Sequence, residues 1–114
     1  MIIYHIAYSA DWEKAESEGT YTTSTKGRTL AEQGYIHAGD APRVAPVANL
    51  FYAEDDGLVV LVIDTDRLAS PVKYDPAPGW EEPLPHIYGP INPDAVIELR
   101  PLDRGEDGKF RFEA

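Results

Sequence analysis

Short apolar segments separated by turn residues dominate the hydrophobic pattern of this chain. The clearest is LVVLVID at 58–64, which is apolar on both faces and therefore predicts a central strand of a sheet. Shorter apolar or β-branched segments predict the remaining strands. They are IIYHIAY at 2–8, TYTT at 20–23, YIHA at 35–38, PVKY at 71–74, HIY at 86–88, AVIEL at 95–99 and FRFE at 110–113.

Capping signals between the strands predict a few short helices. Ser9 is expected to cap a first helix over 11–18. Thr29 and Glu32 match the capping-box pattern, which predicts a second helix of one or two turns. Asp40 is expected to cap a third helix with regularly spaced apolar residues. Many short strands with a few short helices predict one α+β domain over residues 1–114, built on a strongly bent sheet with mixed or antiparallel strands.

Composition excludes several classes of function. The chain has 114 residues and no cysteine, which rules out disulfides, thiolate metal sites and cysteine nucleophiles. The net charge is −10 and no basic cluster is present, so nucleic-acid binding is disfavoured. No apolar run is long enough to span a bilayer, and the first residues lack the basic region of a signal peptide. A soluble cytoplasmic protein without membrane contacts is therefore expected.

The three histidines of the chain all lie in predicted strands, each with a tyrosine one or two residues away. Side chains at positions i and i+2 of a strand share a face, so Tyr35 should lie beside His37, and Tyr88 beside His86. Imidazoles and phenols together suit a flat, polar ligand. We therefore interpret His5, His37 and His86 as converging on one cleft.

Two other interpretations of the histidines remain open. Each ring could pack separately in the core with a backbone partner. Three histidines could also bind zinc, although the chain has no short-spaced pair such as HxH or HxxxH. A serine triad is disfavoured because no serine lies in a nucleophile-elbow pattern.

Four segments, taken in order, resemble an uncharacterised bacterial family, domain of unknown function 952. They are YHIAYSADWEKAESEGTY at 4–21, LAEQGYIHAGDAPRVAPVANLFY at 30–52, LVVLVIDTDRL at 58–68 and PHIYGPINPDAVIELRPL at 85–102. The GYIH and PHIYGPI motifs are the most specific of these, and the resemblance covers about residues 2–102.

The resemblance implies an ADP-ribosyltransferase-like fold, a small split and curved sheet with a cleft for NAD. By position in that fold, His5 would contact the ribose on the nicotinamide side. His37 would help to stack the nicotinamide, and His86 would stand where a later strand commonly supplies a catalytic glutamate. NAD is thus the expected ligand or substrate, and no cofactor is otherwise implied.

The replacement of this glutamate by His86 departs from the transferase pattern. A carboxylate stabilises the positive charge that develops at the ribosyl carbon, whereas a neutral imidazole does so poorly. Glu98 lies on a later strand, and no motif places it in the cleft. The related RNA 2′-phosphotransferases use histidine and arginines, but their nucleic-acid substrate fits poorly with a net charge of −10.

The expected site therefore has two parts. His37 and His86 are the candidate general acid or base for transfer or hydrolysis at the ribosyl carbon. The other candidates would bind a nucleotide, with the STKGR loop holding its phosphates. These ligand-binding candidates are His5, Tyr35, Tyr88, Ser24, Lys26 and Arg28. The alternatives are a non-catalytic binding or interaction module on the same fold, and a histidine-metal protein.

Overall fold

The computed structural model describes residues 1–25, 27–76 and 79–113. In these ranges the chain forms ten strands and three helices. The strands are β1 (Ile2–Tyr8), β2 (Thr23–Thr25), β3 (Arg28–Thr29), β4 (Ile36–His37), β5 (Leu58–Asp64), β6 (Val72–Asp75), β7 (Leu84–Ile87), β8 (Val96–Pro101), β9 (Asp103–Arg104) and β10 (Phe110–Arg111). The helices are α1 (Ser9–Glu18), α2 (Leu30–Gln33) and α3 (Ala41–Phe51), with 3-10 turns at Thr65–Arg67 and Pro93–Ala95. None of the helices in the described ranges has the length and apolar character needed to cross a bilayer.

Two three-stranded sheets organise the fold. One has the strand order β1-β5-β8 and the other β4-β7-β6. Every pairing between the described strands is antiparallel. A backbone bridge between Tyr4 and Gly39 joins β1 to the segment that follows β4. The α+β class is therefore confirmed, and of the mixed and antiparallel pairings that were predicted, the described strands show the antiparallel one.

Strand β5 separates the two clusters of the hydrophobic core. Leu61 and Ile63 pack in one cluster with residues of β1, β4 and β7. Val60 packs in the other cluster, beneath helix α3. Because successive side chains of a strand point to opposite faces, β5 is buried on both sides, as its continuous apolar pattern predicts.

The helix signals met different outcomes. The Thr29 capping box is confirmed, since the Glu32 amide donates to Thr29 Oγ1 (3.3 Å) and the Thr29 amide to Glu32 Oε1 (3.1 Å). The predicted Ser9 cap is wrong: β1 runs directly into α1, so the extended Tyr8 takes the cap position and Ser9 is already helical. Asp40 does precede α3, but its side chain makes no capping hydrogen bond.

The segment predicted as a strand at 20–23 is displaced toward the C-terminus. The regular strand β2 begins only at Thr23, while Tyr21 forms an isolated bridge with Ile91. The Tyr21 amide donates to the Ile91 carbonyl (2.9 Å), and the Ile91 amide donates back (3.0 Å). This bridge directs the Tyr21 ring into the core, where 1% of its surface is exposed.

Candidate functional site

A cleft of about 510 Å³ opens between the strands of both sheets and helix α3. Strands β1, β4 and β7 contribute its histidines, and α3 contributes an apolar wall that includes Val44, Val47 and Phe51. Six of the residues predicted for the site line this cleft: His5, Ser24, Arg28, Tyr35, His37 and His86. The three histidines therefore share one cleft rather than packing in separate parts of the core.

His37 and His86 face each other across two strands. They are directly opposite in the β4–β7 register, so their side chains lie on one face. Their ring centroids are 5.3 Å apart with an interplanar angle of 84°. Tyr35 covers the His86 ring, with the two centroids 4.1 Å apart and the planes inclined by 13°. The predicted pairing of Tyr35 and His37 on one face is confirmed by a centroid separation of 5.0 Å.

A carboxylate on the adjacent strand β6 binds the Nδ1 nitrogen of His86. Asp75 Oδ2 lies 2.9 Å from His86 Nδ1, and the Tyr88 hydroxyl donates to the same oxygen. The hydrogen bonds from Tyr88 and His86 lower the pKa of Asp75, while the bond to Asp75 raises the pKa of Tyr88 to about 12. At neutral pH Asp75 is therefore ionised and accepts both bonds, so His86 Nδ1 carries a proton.

The second nitrogen of His86 is open to the cleft. His86 Nε2 has no hydrogen-bond partner within the described ranges, although only 5% of the residue surface is exposed. Among the described residues, the fully buried side-chain nitrogen or oxygen atom that lacks a hydrogen-bond partner is Trp12 Nε1, so His86 Nε2 is not fully buried. His86 Nε2 therefore retains access to solvent through the cleft, and its lone pair is free for a ligand.

His5 is held very differently, because both of its ring nitrogens bind protein atoms. Nδ1 donates to the His37 carbonyl, so Nε2 must accept from the Tyr21 hydroxyl, 2.9 Å away. Burial lowers the pKa of His5 to about 4. A ligand could bind a ring nitrogen of His5 only if one of these bonds broke, so the ring contributes a fixed wall of the cleft.

The His37 ring also stays neutral, for a different reason. Burial, with a further contribution from the neighbouring His86, lowers the pKa of His37 to about 4. Neither ring nitrogen of His37 has a hydrogen-bond partner among the described residues. At neutral pH the ring therefore offers one donor and one acceptor to the cleft.

The remaining predicted residues are distributed unevenly. Ser24 is fully buried and donates to the Tyr35 carbonyl, so it positions the tyrosine segment. Arg28 is exposed and lines the cleft. Lys26 lies outside the described residues. Tyr88 shares a face with His86, as predicted, but it binds Asp75 and is absent from the described residues that line the cleft.

Two contributors lie outside the set of site residues predicted from the sequence: Asp75 was missed, and Arg43 was considered near the phosphates but not included. Asp75 follows the PVKY segment, and no spacing rule connects it to His86, since the β6–β7 register brings them together. Arg43 lines the cleft, where its guanidinium lies 5.2 Å from the centre of the Trp80 ring and Nη2 lies 3.1 Å from Glu82 Oε2. Its place in the first turn of α3, one helical turn before Val47, was a usable signal.

The charge of the cleft contrasts with that of the whole chain. The described residues that line the cleft include Arg28 and Arg43 but no aspartate or glutamate. Glu98 lies exposed on β8 and is 3.4 Å from Arg100 Nη1, so the structure does not bring it into the cleft. In the described ranges, no group of three or more histidine, aspartate or glutamate side chains is arranged to hold a metal ion.

Comparison with known proteins supports the fold and identifies the family. The crystal structure of protein CC0527 from Caulobacter crescentus superposes with a TM-score of 0.83 at 24% identity, covering 97% of this chain and 94% of that one. The solution NMR structure of CC0527 gives a TM-score of 0.76 at 25% identity, covering 95% and 90%. A search of curated proteins finds no match. The family model described as "Protein of unknown function (DUF952)" matches residues 6–99, and the chain therefore belongs to this family.

Proposed function

We propose that the cleft binds a nucleotide of the NAD class, on a fold related to the ADP-ribosyltransferases. One observation carries the proposal: in a chain of net charge −10, the described residues lining the cleft include two arginines and no carboxylate. Asp75 and Glu82 adjoin the cleft, bound to His86 and Arg43, but neither lines it. The lining therefore favours an anionic ligand more than the rest of this acidic chain does. The volume of about 510 Å³ falls within the range of small-molecule sites, roughly 300–1,000 Å³.

The walls of the cleft suit a ligand with a flat ring. Val44, Val47 and Phe51 offer apolar surface on α3, and the histidine pair faces the same space. His37 is neutral at pH 7 and can donate one hydrogen bond and accept another. This combination fits a nicotinamide or adenine ring with ribose hydroxyls nearby. Arg28 could pair with the phosphates, and so could Arg43 by exchanging its partner Glu82 for a phosphate oxygen.

A non-catalytic binding module is the second candidate. It is favoured by the position of Glu98, because this carboxylate lies outside the cleft and cannot stabilise charge at a bound ribose. Both candidates share the binding step, and transfer or hydrolysis at the ribosyl carbon would be added to it in an enzyme.

NMR titration of the labelled protein with NAD tests the binding step. We expect saturable shifts on β4, β7 and α3, and on the His37 and His86 rings. His37→Ala should weaken binding, whereas Glu98→Gln should leave it unchanged, because Glu98 does not line the cleft. Adenosine, which lacks phosphates, should bind more weakly than AMP if the arginines contribute. Absence of shifts at millimolar NAD would refute the nucleotide proposal and leave the interaction module.

A further inference from the structure

We infer that Asp75 is a positioning residue that provides, through His86, the negative charge which a glutamate commonly provides in ADP-ribosyltransferases. His86 Nε2 would then act as the base that activates water for attack at the ribosyl carbon of a bound NAD-type ligand. This inference rests on the proposed function, since it needs such a ligand in the cleft.

The hydrogen bond to Asp75 selects the tautomer of the neutral His86 ring. An ionised carboxylate can only accept, so the 2.9 Å bond from Asp75 Oδ2 requires the proton on His86 Nδ1. The Tyr88 hydroxyl donates to the same oxygen and so further restrains the carboxylate. In the neutral ring Nε2 is then the unprotonated nitrogen, and it is the one that no described protein group binds where His86 lines the cleft.

The surroundings of the His86 ring leave Asp75 as its acidic partner. Tyr35 stacks on one face, and the His37 ring, which burial keeps neutral at pH 7, meets it edge to face. Lys73 lies opposite His86 in the register, but its Nζ is placed over the Tyr88 ring at 5.3 Å from the centroid. Within the described ranges, the titratable and charged side chains around His86 are therefore Tyr35, His37, Lys73, Asp75 and Tyr88.

This arrangement removes the electrostatic objection to a histidine in place of the glutamate. A lone imidazole that takes up a proton becomes positive and opposes the charge developing at the ribosyl carbon. The Asp75–His86 pair instead carries one net negative charge before proton uptake and none afterwards. Activation of water therefore creates no net positive charge beside the ribose, and the carboxylate stabilises the imidazolium directly.

The reaction that follows is hydrolysis of the bond between nicotinamide and ribose. The oxygen of a water molecule bonds to the ribosyl carbon while His86 Nε2 takes one of its protons. The carbon–nitrogen bond breaks, and its electron pair leaves with the nicotinamide nitrogen, which becomes uncharged. The imidazolium then releases its proton to solvent, so the products are nicotinamide, ADP-ribose and a proton.

The test begins with the tautomer of His86, read from long-range ¹H–¹⁵N spectra of the imidazole rings without ligand. We expect the Nδ1–H tautomer in the unmodified protein at pH 8, and a mixture of tautomers in Asp75→Ala. Glu98→Gln and Asp75→Asn then provide matched carboxylate-to-amide changes for kinetics. We expect slow release of nicotinamide from NAD, reduced about 100-fold by Asp75→Asn, the usual size of an acid–base contribution, and unaffected by Glu98→Gln.

The outcomes separate this inference from the proposed function. An Nε2–H tautomer in the unmodified protein would overturn the inference without any variant, and so would a tautomer unchanged by Asp75→Ala. NAD that binds but is not cleaved, or is cleaved equally fast by Asp75→Asn, would refute the charge role while leaving the binding proposal intact. Failure of NAD to bind would refute the proposed function, whatever the tautomer of His86.

Discussion

The two three-stranded sheets each present a buried histidine to the same cleft, yet they hold it in opposite ways. His5 on β1 has both ring nitrogens bound to the protein, through the His37 carbonyl and the Tyr21 hydroxyl. His86 on β7 has one nitrogen bound to Asp75 and the other open to the cleft. Exposure hardly distinguishes the two residues, at 2% for His5 and 5% for His86.

The number of bound nitrogens, rather than the depth of burial, separates the two histidines. A ring with two protein partners is saturated, so replacing it leaves two buried groups unpaired and mainly changes stability. A ring with one partner is oriented by that partner and keeps a lone pair for a ligand. The β1–β5–β8 sheet thus contributes a histidine with both ring nitrogens bound, and the β4–β7–β6 sheet contributes one with a ring nitrogen that no described residue binds.

The strongest test of this comparison is His5→Ala. We expect a loss of roughly 3–4 kcal/mol in the free energy of unfolding, from the cavity and from the unpaired Tyr21 hydroxyl and His37 carbonyl. Urea denaturation monitored by circular dichroism measures the change. His37→Ala serves as the control, because the His37 ring makes no hydrogen bond in the described ranges. This variant should lose much less free energy of unfolding. Equal losses for both variants would contradict the comparison.

The pH dependence of stability provides the second test. Burial lowers the folded-state pKa of His5 to about 4, against about 6.5 when unfolded, so the unfolded chain binds more protons between these values. The contribution of His5 to the free energy of unfolding is therefore fully present above pH 6.5 and declines as the pH falls toward 4. At about 1.4 kcal/mol for each pH unit, the contribution of His5 amounts to roughly 3 kcal/mol. Because the pKa of His37 is also lowered to about 4, the His5 contribution is measured in the His37→Ala variant, by urea denaturation at pH 7 and pH 4.5. Titration of the His5 ring near pH 6.5 would contradict the prediction.

A smaller effect is expected from Tyr35, which covers the His86 ring. Tyr35→Ala removes this stacking, a contact worth about 0.5–1.5 kcal/mol, so NAD affinity should fall by roughly 2- to 10-fold. Tyr74→Ala is the matched control, since Tyr74 is exposed on β6 and does not line the cleft. Calorimetric titration compares the two variants. An equal loss of affinity in both would show that the Tyr35 ring does not support the site.

The smallest effect is expected from Arg28. Arg28→Gln removes one exposed positive charge at the cleft, which should lower NAD affinity by no more than about 1 kcal/mol at low salt. The loss should shrink as salt is added, because exposed charges are screened. Arg67→Gln is the control, since Arg67 pairs with Asp64 away from the cleft. An affinity that is independent of Arg28 at low salt would exclude its contact with the ligand.

Local patterns in the sequence were sufficient to predict much of the frame around the site. The apolar run of β5 indicated its central position, and Thr29 with Glu32 indicated the capping box of α2. The two-residue period of a strand placed Tyr35 beside His37 and Tyr88 beside His86. These features depend on residues within a few positions of one another, so the sequence contains them directly.

The partners of the histidines could not be predicted, because they depend on pairing between distant segments. His86 meets Asp75 only through the register of β6 against β7, 11 residues apart in the chain. His5 meets the His37 carbonyl through the bridge that joins β1 to the segment after β4. The three histidine–tyrosine motifs look alike in the sequence, so the same role was predicted for each histidine. The pairing of distant strands gives the three rings different hydrogen-bond partners and therefore different roles.

The absence of carboxylates from the described lining of the cleft also has a kinetic consequence. At long range an anionic ligand meets a protein of net charge −10 and is repelled, while the attraction of Arg28 and Arg43 acts only near the cleft. At about 0.1 M salt the screening length is about 10 Å, which suppresses the distant repulsion more than the close contact. Capture of the ligand should therefore become faster as salt is first added, opposite to the behaviour of a site that attracts its ligand from a distance.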